Sequence, residues 1–119
     1  MGHGVQGRVG PAELDAGTAR TVADTLQALA TPSRLLILAR LRQDPATVSA
    51  LADAVGMEPS AVSHQLRLLR HLRLVHGERH GRSITYSLYD EHVAELLDQA
   101  VYHVEHLRLS ARELPEQTG

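Results

Sequence analysis

Apolar residues recur every three or four positions over most of this 119-residue chain, which is the period of helices with one buried face. The first such segment begins at Ala16. A second helix is predicted to begin at Thr31-Pro32, because threonine caps helix N-termini and proline is tolerated in a first turn. That helix should end before Asp44-Pro45, since the residue preceding a proline avoids helical geometry.

Two short helices are predicted next, and the second has an unusual outer surface. Thr47 should cap a third helix that Gly56 closes, and Pro59 opens a fourth. Val62 and Leu66 of the fourth helix face a core, whereas the opposite face is polar and basic. This arrangement predicts a helix-turn-helix that contacts DNA. The residues predicted to read or position the major groove are Ser60, Ser63, His64, Gln65 and Arg67.

After the fourth helix the apolar period changes to two, which is typical of strands. Segments 74–79 and 83–88 flank the tripeptide 80–82, and the second segment alternates cleanly. We expect a β-hairpin with a basic tip. Its arginines, Arg79 and Arg82, are predicted to contact phosphate or the minor groove.

The last predicted helix runs from about Glu91 to Arg112 and is apolar along a whole face. Such a helix requires cover, which we expect from the first helix and from a second copy of the chain. The expected fold is mainly α with a β-hairpin wing, a winged helix-turn-helix that dimerises through its terminal helices. We assign residues 1–14 to a flexible arm, 15–112 to this domain and 113–119 to a tail.

Composition excludes several classes of protein. The chain has no Cys, so it offers neither disulfides nor a thiolate metal site. It has no apolar stretch of 18 residues and no apolar run near its start, so we expect a cytoplasmic protein that does not associate with membranes. No arrangement of nucleophile and base is apparent, and we do not expect an enzyme.

The net charge of −2 conceals a strong asymmetry along the chain. Residues 34–82 contain eight Arg and four acidic residues, a net charge of +4, while the remainder contains four Arg and ten acidic residues, a net charge of −6. Every basic residue is Arg, whose planar donor fork suits phosphate and guanine. The basic segment coincides with the predicted helix-turn-helix and hairpin, so double-stranded DNA is the predicted partner.

The last helix also carries two pairs of potential metal ligands. Asp90 and His92 stand at its start, His103 follows eleven residues after His92, and His106 follows three residues after His103. Eleven residues of helix make three turns plus about 20°, with a rise of roughly 16 Å. The pairs therefore share a face but are too far apart to hold one ion. A metal site requires a second, antiparallel copy of the helix.

Residues 26–38 and 59–69, followed by the hairpin, resemble the ArsR/SmtB family of winged-helix metal-sensing repressors, and the resemblance extends over about residues 16–108. It implies a homodimer that binds an inverted-repeat operator in DNA and releases it when metal binds. Members that sense arsenic, cadmium or lead carry Cys pairs in the third helix, and this chain does not. The terminal-helix metal site of the family matches Asp90, His92, His103 and His106.

The beginning of the chain makes the resemblance more specific. Met1-Gly2-His3-Gly4, together with the C-terminal pattern, looks most like family members that sense nickel or cobalt. If Met1 is removed, the Gly2 amine and His3 raise the number of nitrogen and oxygen donors to six, which suits octahedral Ni²⁺ or Co²⁺. The four helix ligands alone suit tetrahedral Zn²⁺. A zinc sensor, or a metal-binding regulator that needs a partner protein, is the alternative.

Overall fold

The structure is a computed structural model that describes residues 13–113, with side chains described as far as residue 111. Within these residues the order and type of elements confirm the predicted winged helix-turn-helix. Gly2 and His3, with the rest of residues 1–12, and residues 114–119 lie outside the described part. The elements are α1 (Ala16–Ala28), α2 (Pro32–Gln43), α3 (Val48–Val55), α4 (Pro59–His71), β1 (Val75–His80), β2 (Ser83–Leu88) and α5 (Glu91–Glu113).

The helix boundaries follow from local chemistry, with one exception. The hydroxyl of Thr47 accepts a hydrogen bond from the backbone N–H of Ala50 at 3.2 Å, and Gly56 ends α3 with a left-handed φ of 70°. Thr31 stands at the N-terminus of α2 as predicted, but its hydroxyl makes no capping bond and is buried without a partner. The fixed φ of Pro32, rather than a hydroxyl cap, therefore defines the start of α2.

The core joins the three central helices to the hairpin. Replacing one of its fully buried leucines by alanine is expected to cost about 2–5 kcal/mol of folding stability. The largest fully buried side chains are Ile37, Leu38, Leu51, Val62, Leu66, Leu69 and Val75.

The wing is an antiparallel hairpin that pairs without a break from Val75 opposite Leu88 to His80 opposite Ser83. The predicted three-residue tip was therefore wrong by one residue, because His80 belongs to β1. Gly81, with a φ of 65°, permits the tighter two-residue turn.

The base of the wing is anchored to the connection between α2 and α3. Ala46 and Tyr86 exchange two backbone hydrogen bonds, at 2.9 and 2.7 Å. The ring of Tyr86 also crosses to the paired residue Gly77, where an added Cβ would lie 2.9 Å from the Ile84 side chain and 3.1 Å from the Tyr86 ring. A glycine is therefore needed at position 77 for the ring to pack within the hairpin, while the backbone bonds to Ala46 hold the hairpin to the connection between α2 and α3.

Helix α5 packs on the body through its first half only. Val93, Ala94 and Leu97 are buried, and the main neighbours of α5 are α2 and β2. Within the single subunit α1 makes none of the extensive contacts between elements, so the expected cover of α5 by the first helix is not seen there. Farther along α5, Val101 and Tyr102 are 61% and 66% exposed, so its apolar face continues without cover.

Both terminal helices leave apolar side chains open to solvent in the single subunit. Val22 and Leu26 of α1 are exposed, and an apolar groove of about 920 Å³ lies between α2 and α5. Apolar surface of this extent is typical of a protein interface. None of the helices in residues 13–113 combines the length and apolarity needed to cross a bilayer.

Candidate DNA interface and metal half-sites

The outer face of α4 carries three of the predicted DNA-contacting residues. Ser60, His64 and Arg67 are exposed, on the side of the helix opposite the buried Val62 and Leu66. A polar and basic face of this kind, on the second helix of a helix-turn-helix, is the part of the motif that enters a major groove.

The other two predicted residues of α4 occupy its flanks. Gln65 is half-buried on the flank towards α2, where its Oε1 accepts a hydrogen bond from Nε of Arg34 at 2.7 Å. Gln65 thus lies on the flank of α4 rather than on its outer face, only about 60° from Val62 around the helix. Ser63 is half-buried on the opposite flank, towards the wing.

The wing and the helix-turn-helix form one continuous surface. Ser63 and Arg82 line the same groove of about 340 Å³, together with the hydroxyl residues Thr47 and Ser49 at the start of α3. Arg79 and Arg82 are both exposed, one in β1 and the other in the turn. Arg82 in the wing turn thus lines the same surface as the flank of α4, and the sequence predicts that this surface contacts DNA.

The first pair of candidate metal ligands is assembled at the start of α5. Oδ1 of Asp90 accepts a hydrogen bond from the backbone N–H of Val93 at 3.2 Å, and Oδ2 lies 3.4 Å from Nδ1 of His92. Loss of hydration acts to raise the pKa of Asp90, but hydrogen bonds from Val93 and His92 outweigh it, and the net pKa is lowered. Asp90 thus remains ionised, caps α5 and presents a second oxygen beside an imidazole that is 88% exposed.

The second pair lies farther along the same helix. His103 and His106 are exposed, and the ring of His106 stacks on Tyr102 with centroids 6.1 Å apart and an interplanar angle of 23°. This stacking orients the His106 imidazole. The sequence contains the signal for this contact, an aromatic residue four positions before a histidine, which the sequence analysis did not use.

The two pairs do not meet within one subunit. No three His, Asp or Glu side chains converge in the described part of the chain. This is expected, because a rise of roughly 16 Å along one helix separates His92 from His103. The donors are nitrogen and oxygen atoms, which fit Ni²⁺, Co²⁺ or Zn²⁺. Each subunit therefore presents two half-sites of suitable chemistry, and the predicted donors Gly2 and His3 lie outside the described residues.

A winged helix-turn-helix with a basic outer face defines a class, the DNA-binding transcriptional regulators. The comparison with protein families makes the class specific: residues 31–76 match the family described as bacterial regulatory protein, arsR family. The chain belongs to the ArsR family, because it also aligns over its full length with a member at 62% identity. Membership confirms the predicted regulator and agrees with the expectation that the protein is not an enzyme.

That relative is the HTH-type transcriptional regulator NmtR of Mycobacterium tuberculosis, which is 62% identical over 100% of both chains. The solution structure of apo-NmtR superimposes with a TM-score of 0.70, covering 99% of this chain and 98% of the other. The homodimeric winged helix-turn-helix DNA-binding domain Mb0332 of Mycobacterium bovis gives 0.73 at 35% identity, covering 84% of this chain and 94% of its own.

Proposed function

We propose that this protein is a transcriptional regulator that binds an inverted-repeat operator as a homodimer and responds to Ni²⁺ or Co²⁺. The observation that carries the proposal is the placement of two ligand pairs on one face of α5, the helix that also bears an uncovered apolar surface. Burial of that surface against a second copy would bring the ligand pairs of different subunits together.

An antiparallel arrangement of two α5 helices accounts for both features. Each Asp90–His92 pair then faces the His103–His106 pair of the second copy, so one dimer holds two equivalent metal sites. The exposed Leu96 lies between the pairs in sequence and about 40° from His92 around the helix, on the face where the two helices would cross. The related winged helix-turn-helix domain of Mycobacterium bovis is homodimeric, which supports assembly of this chain as a dimer.

Metal binding would reach the DNA-binding surface through α5 itself. The buried Val93 and Leu97 join α5 to the core, and Arg42 of α2 donates two hydrogen bonds to Asp98, at 3.1 and 2.9 Å. The bound ion would hold the two subunits together only when the ligand pairs of the two α5 helices lie opposite each other. Differential binding of about 3 kcal/mol would change operator affinity by about a hundredfold.

The number of donors decides which metal is preferred. Asp90, His92, His103 and His106 supply four, and the Gly2 amine with His3 would raise the total to six. The match of both ends of the chain to nickel- and cobalt-sensing family members favours the larger set. A zinc sensor is the second candidate, because the four helix donors are by themselves a suitable zinc set.

The test is direct measurement of DNA binding with each metal. A duplex is first selected from a randomised pool by the metal-free protein, and its affinity is then measured with Ni²⁺, Co²⁺ or Zn²⁺ added. We expect an inverted repeat to be selected and its affinity to change by about five- to 150-fold with nickel or cobalt. Selection of no specific duplex, or equal affinity with and without every metal, would overturn the proposal.

Replacing Arg82 by alanine is expected to weaken binding to the selected duplex and to lower the slope of log affinity against log salt by about one, because one phosphate contact is lost. Arg67→Ala should weaken binding similarly, and neither variant should alter metal affinity. Arg82→Lys is the matched control, since it keeps the charge and should keep the slope. If Arg82→Ala binds as tightly as the unaltered protein at physiological salt, the wing does not contact DNA.

A further inference from the structure

One arginine, Arg34 in the first turn of α2, joins three helices. Its Nε donates to Oε1 of Gln65 in α4 at 2.7 Å, and its Nη1 donates to the backbone carbonyl of Ala28, the last residue of α1, at 3.4 Å. The side chain is half-buried, and both contacts are partly shielded from solvent. Among the described residues it forms no ion pair.

The contact with Ala28 matters because α1 is otherwise loosely held. The carbonyls of the last helical turn lack partners within their own helix, and a cation at that end also interacts favourably with the helix dipole. Ala28 is the one buried residue of α1, and the helix makes none of the extensive contacts between elements. Arg34 is thus one of the few links between α1 and the rest of the subunit.

The contact with Gln65 matters because α4 is the helix proposed to enter the major groove. Gln65 lies on the flank of the recognition helix, one residue beyond the exposed His64 and two before the exposed Arg67. The 2.7 Å bond from the Arg34 guanidinium ties α4 to α2 at this point. Arg34 therefore connects a helix with an uncovered apolar face to the helix that reads DNA.

We propose that Arg34 is a positioning residue that fixes α4 relative to α1, and so sets the spacing of the two recognition helices in a dimer. Dimers of this motif bind half-sites about one helical turn of DNA apart, roughly 34–36 Å, so a small rotation within each subunit misplaces both helices. The inference rests on the proposed operator binding by a homodimer. It adds that a residue away from the outer face of α4 controls the preferred half-site spacing.

The experiment uses the full chain and the duplex selected by the metal-free protein, with versions lengthened or shortened by one base pair at the centre. Gln65→Met removes the acceptor while keeping length and helix propensity, and Gln65→Glu keeps the acceptor and strengthens it. Arg34→Lys keeps the charge but lacks the planar fork that bonds both acceptors. Unfolding curves for each variant verify that the comparison is made between folded proteins.

We expect Gln65→Met and Arg34→Lys each to bind the selected duplex about tenfold more weakly, with an unchanged salt slope. Both should discriminate less between the correct spacing and the altered ones. The double variant should be no worse than either single change, because both remove the same bond. Gln65→Glu should discriminate between spacings like the unaltered protein, while the repulsion of its added negative charge from DNA phosphates lowers affinity equally for every spacing. A residue required only for folding would not explain this retained discrimination.

Two results would overturn the inference. Additive losses in the double variant with full discrimination of spacing would show that the bond does not position α4. Retained affinity in Arg34→Lys, together with a salt slope lowered by about one in Arg34→Met, would show a direct phosphate contact instead. A failure of the unaltered protein to select any inverted repeat would count against the proposed function and would be distinct from both.

Discussion

A mixed dimer with complementary changes in its two subunits is expected to bind one metal ion, where the unaltered dimer binds two. One subunit carries Asp90→Asn with His92→Ala, and the other carries His103→Ala with His106→Ala. If each site takes one ligand pair from each subunit, the two altered pairs meet in one site, which loses its four α5 donors. The two intact pairs meet in the other site, which keeps its four α5 donors. Metal titration of dimers purified through two different affinity tags measures the stoichiometry.

The substitutions are chosen to leave the fold and the DNA surface intact. Asparagine caps helices as well as aspartate does, so Asp90→Asn should preserve the bond from the Val93 backbone N–H to the cap. His92, His103 and His106 are exposed, and their truncation removes no core contact. Each variant should therefore bind the selected duplex like the unaltered metal-free protein while losing its response to metal.

The corresponding homodimers provide the controls. A homodimer of either variant retains two of the four α5 donors in each site, and we expect it to bind metal too weakly to regulate DNA binding. Metal stoichiometry of two in the mixed dimer would place both pairs outside the site. A mixed dimer that behaves like the two homodimers, with no intact site restored, would contradict ligation between subunits.

The fold was predictable because residues with strong local preferences mark its boundaries. Pro32 and Pro59 stand at the first positions of α2 and α4, and Gly56 ends α3 in the left-handed conformation that glycine tolerates. These effects act within one helical turn, so they require no knowledge of the packing. Alternation of apolar residues predicted the wing, because alternation is also a local property of the sequence.

Features that depend on tertiary contacts were not predictable in this way. Arg73 follows α4 with a left-handed φ of 61°, which an arginine adopts only when its surroundings impose it. Gln65 is polar and lies beside His64 in sequence, so it was predicted to contact DNA with its neighbours. Its hydrogen-bond partner Arg34 is 31 residues away in sequence, and no local pattern indicates that contact. Only the hydrogen bond between α2 and α4 distinguishes Gln65 from its neighbours on the outer face.

The candidate metal ligands were predictable from the sequence only in part. The spacing of Asp90, His92, His103 and His106 along one helix is a local property, and the structure places the members of each pair on one exposed helix as predicted. Closure of a site depends on a second chain and on the register of two helices, which no local preference specifies. The candidate site was therefore predictable as half-sites, and the assembled site remains a proposal.

The choice between nickel and zinc is expected to depend on the N-terminal arm. In a protein that begins at Gly2, adding one residue before Gly2, or making His3→Ala, should weaken nickel binding by about 10–100-fold. Losing a residue that only supports a metal ligand already has an effect of this size. Zinc affinity should change far less, because four donors on α5 satisfy zinc. Competition titrations with a chelator of known affinity measure both metals.

The cobalt spectrum gives an independent measure of the same change. Six donors produce weak octahedral absorption bands, and removal of the arm donors should convert them to the intense bands of a four-coordinate site. His80→Ala is the matched control, because His80 is exposed at the wing tip and belongs to neither ligand pair. If blocking the arm leaves nickel affinity and the cobalt spectrum unchanged while His103→Ala abolishes both, the arm supplies no ligand. The four donors of α5 then constitute the whole site, and a zinc sensor becomes the better account of this chain.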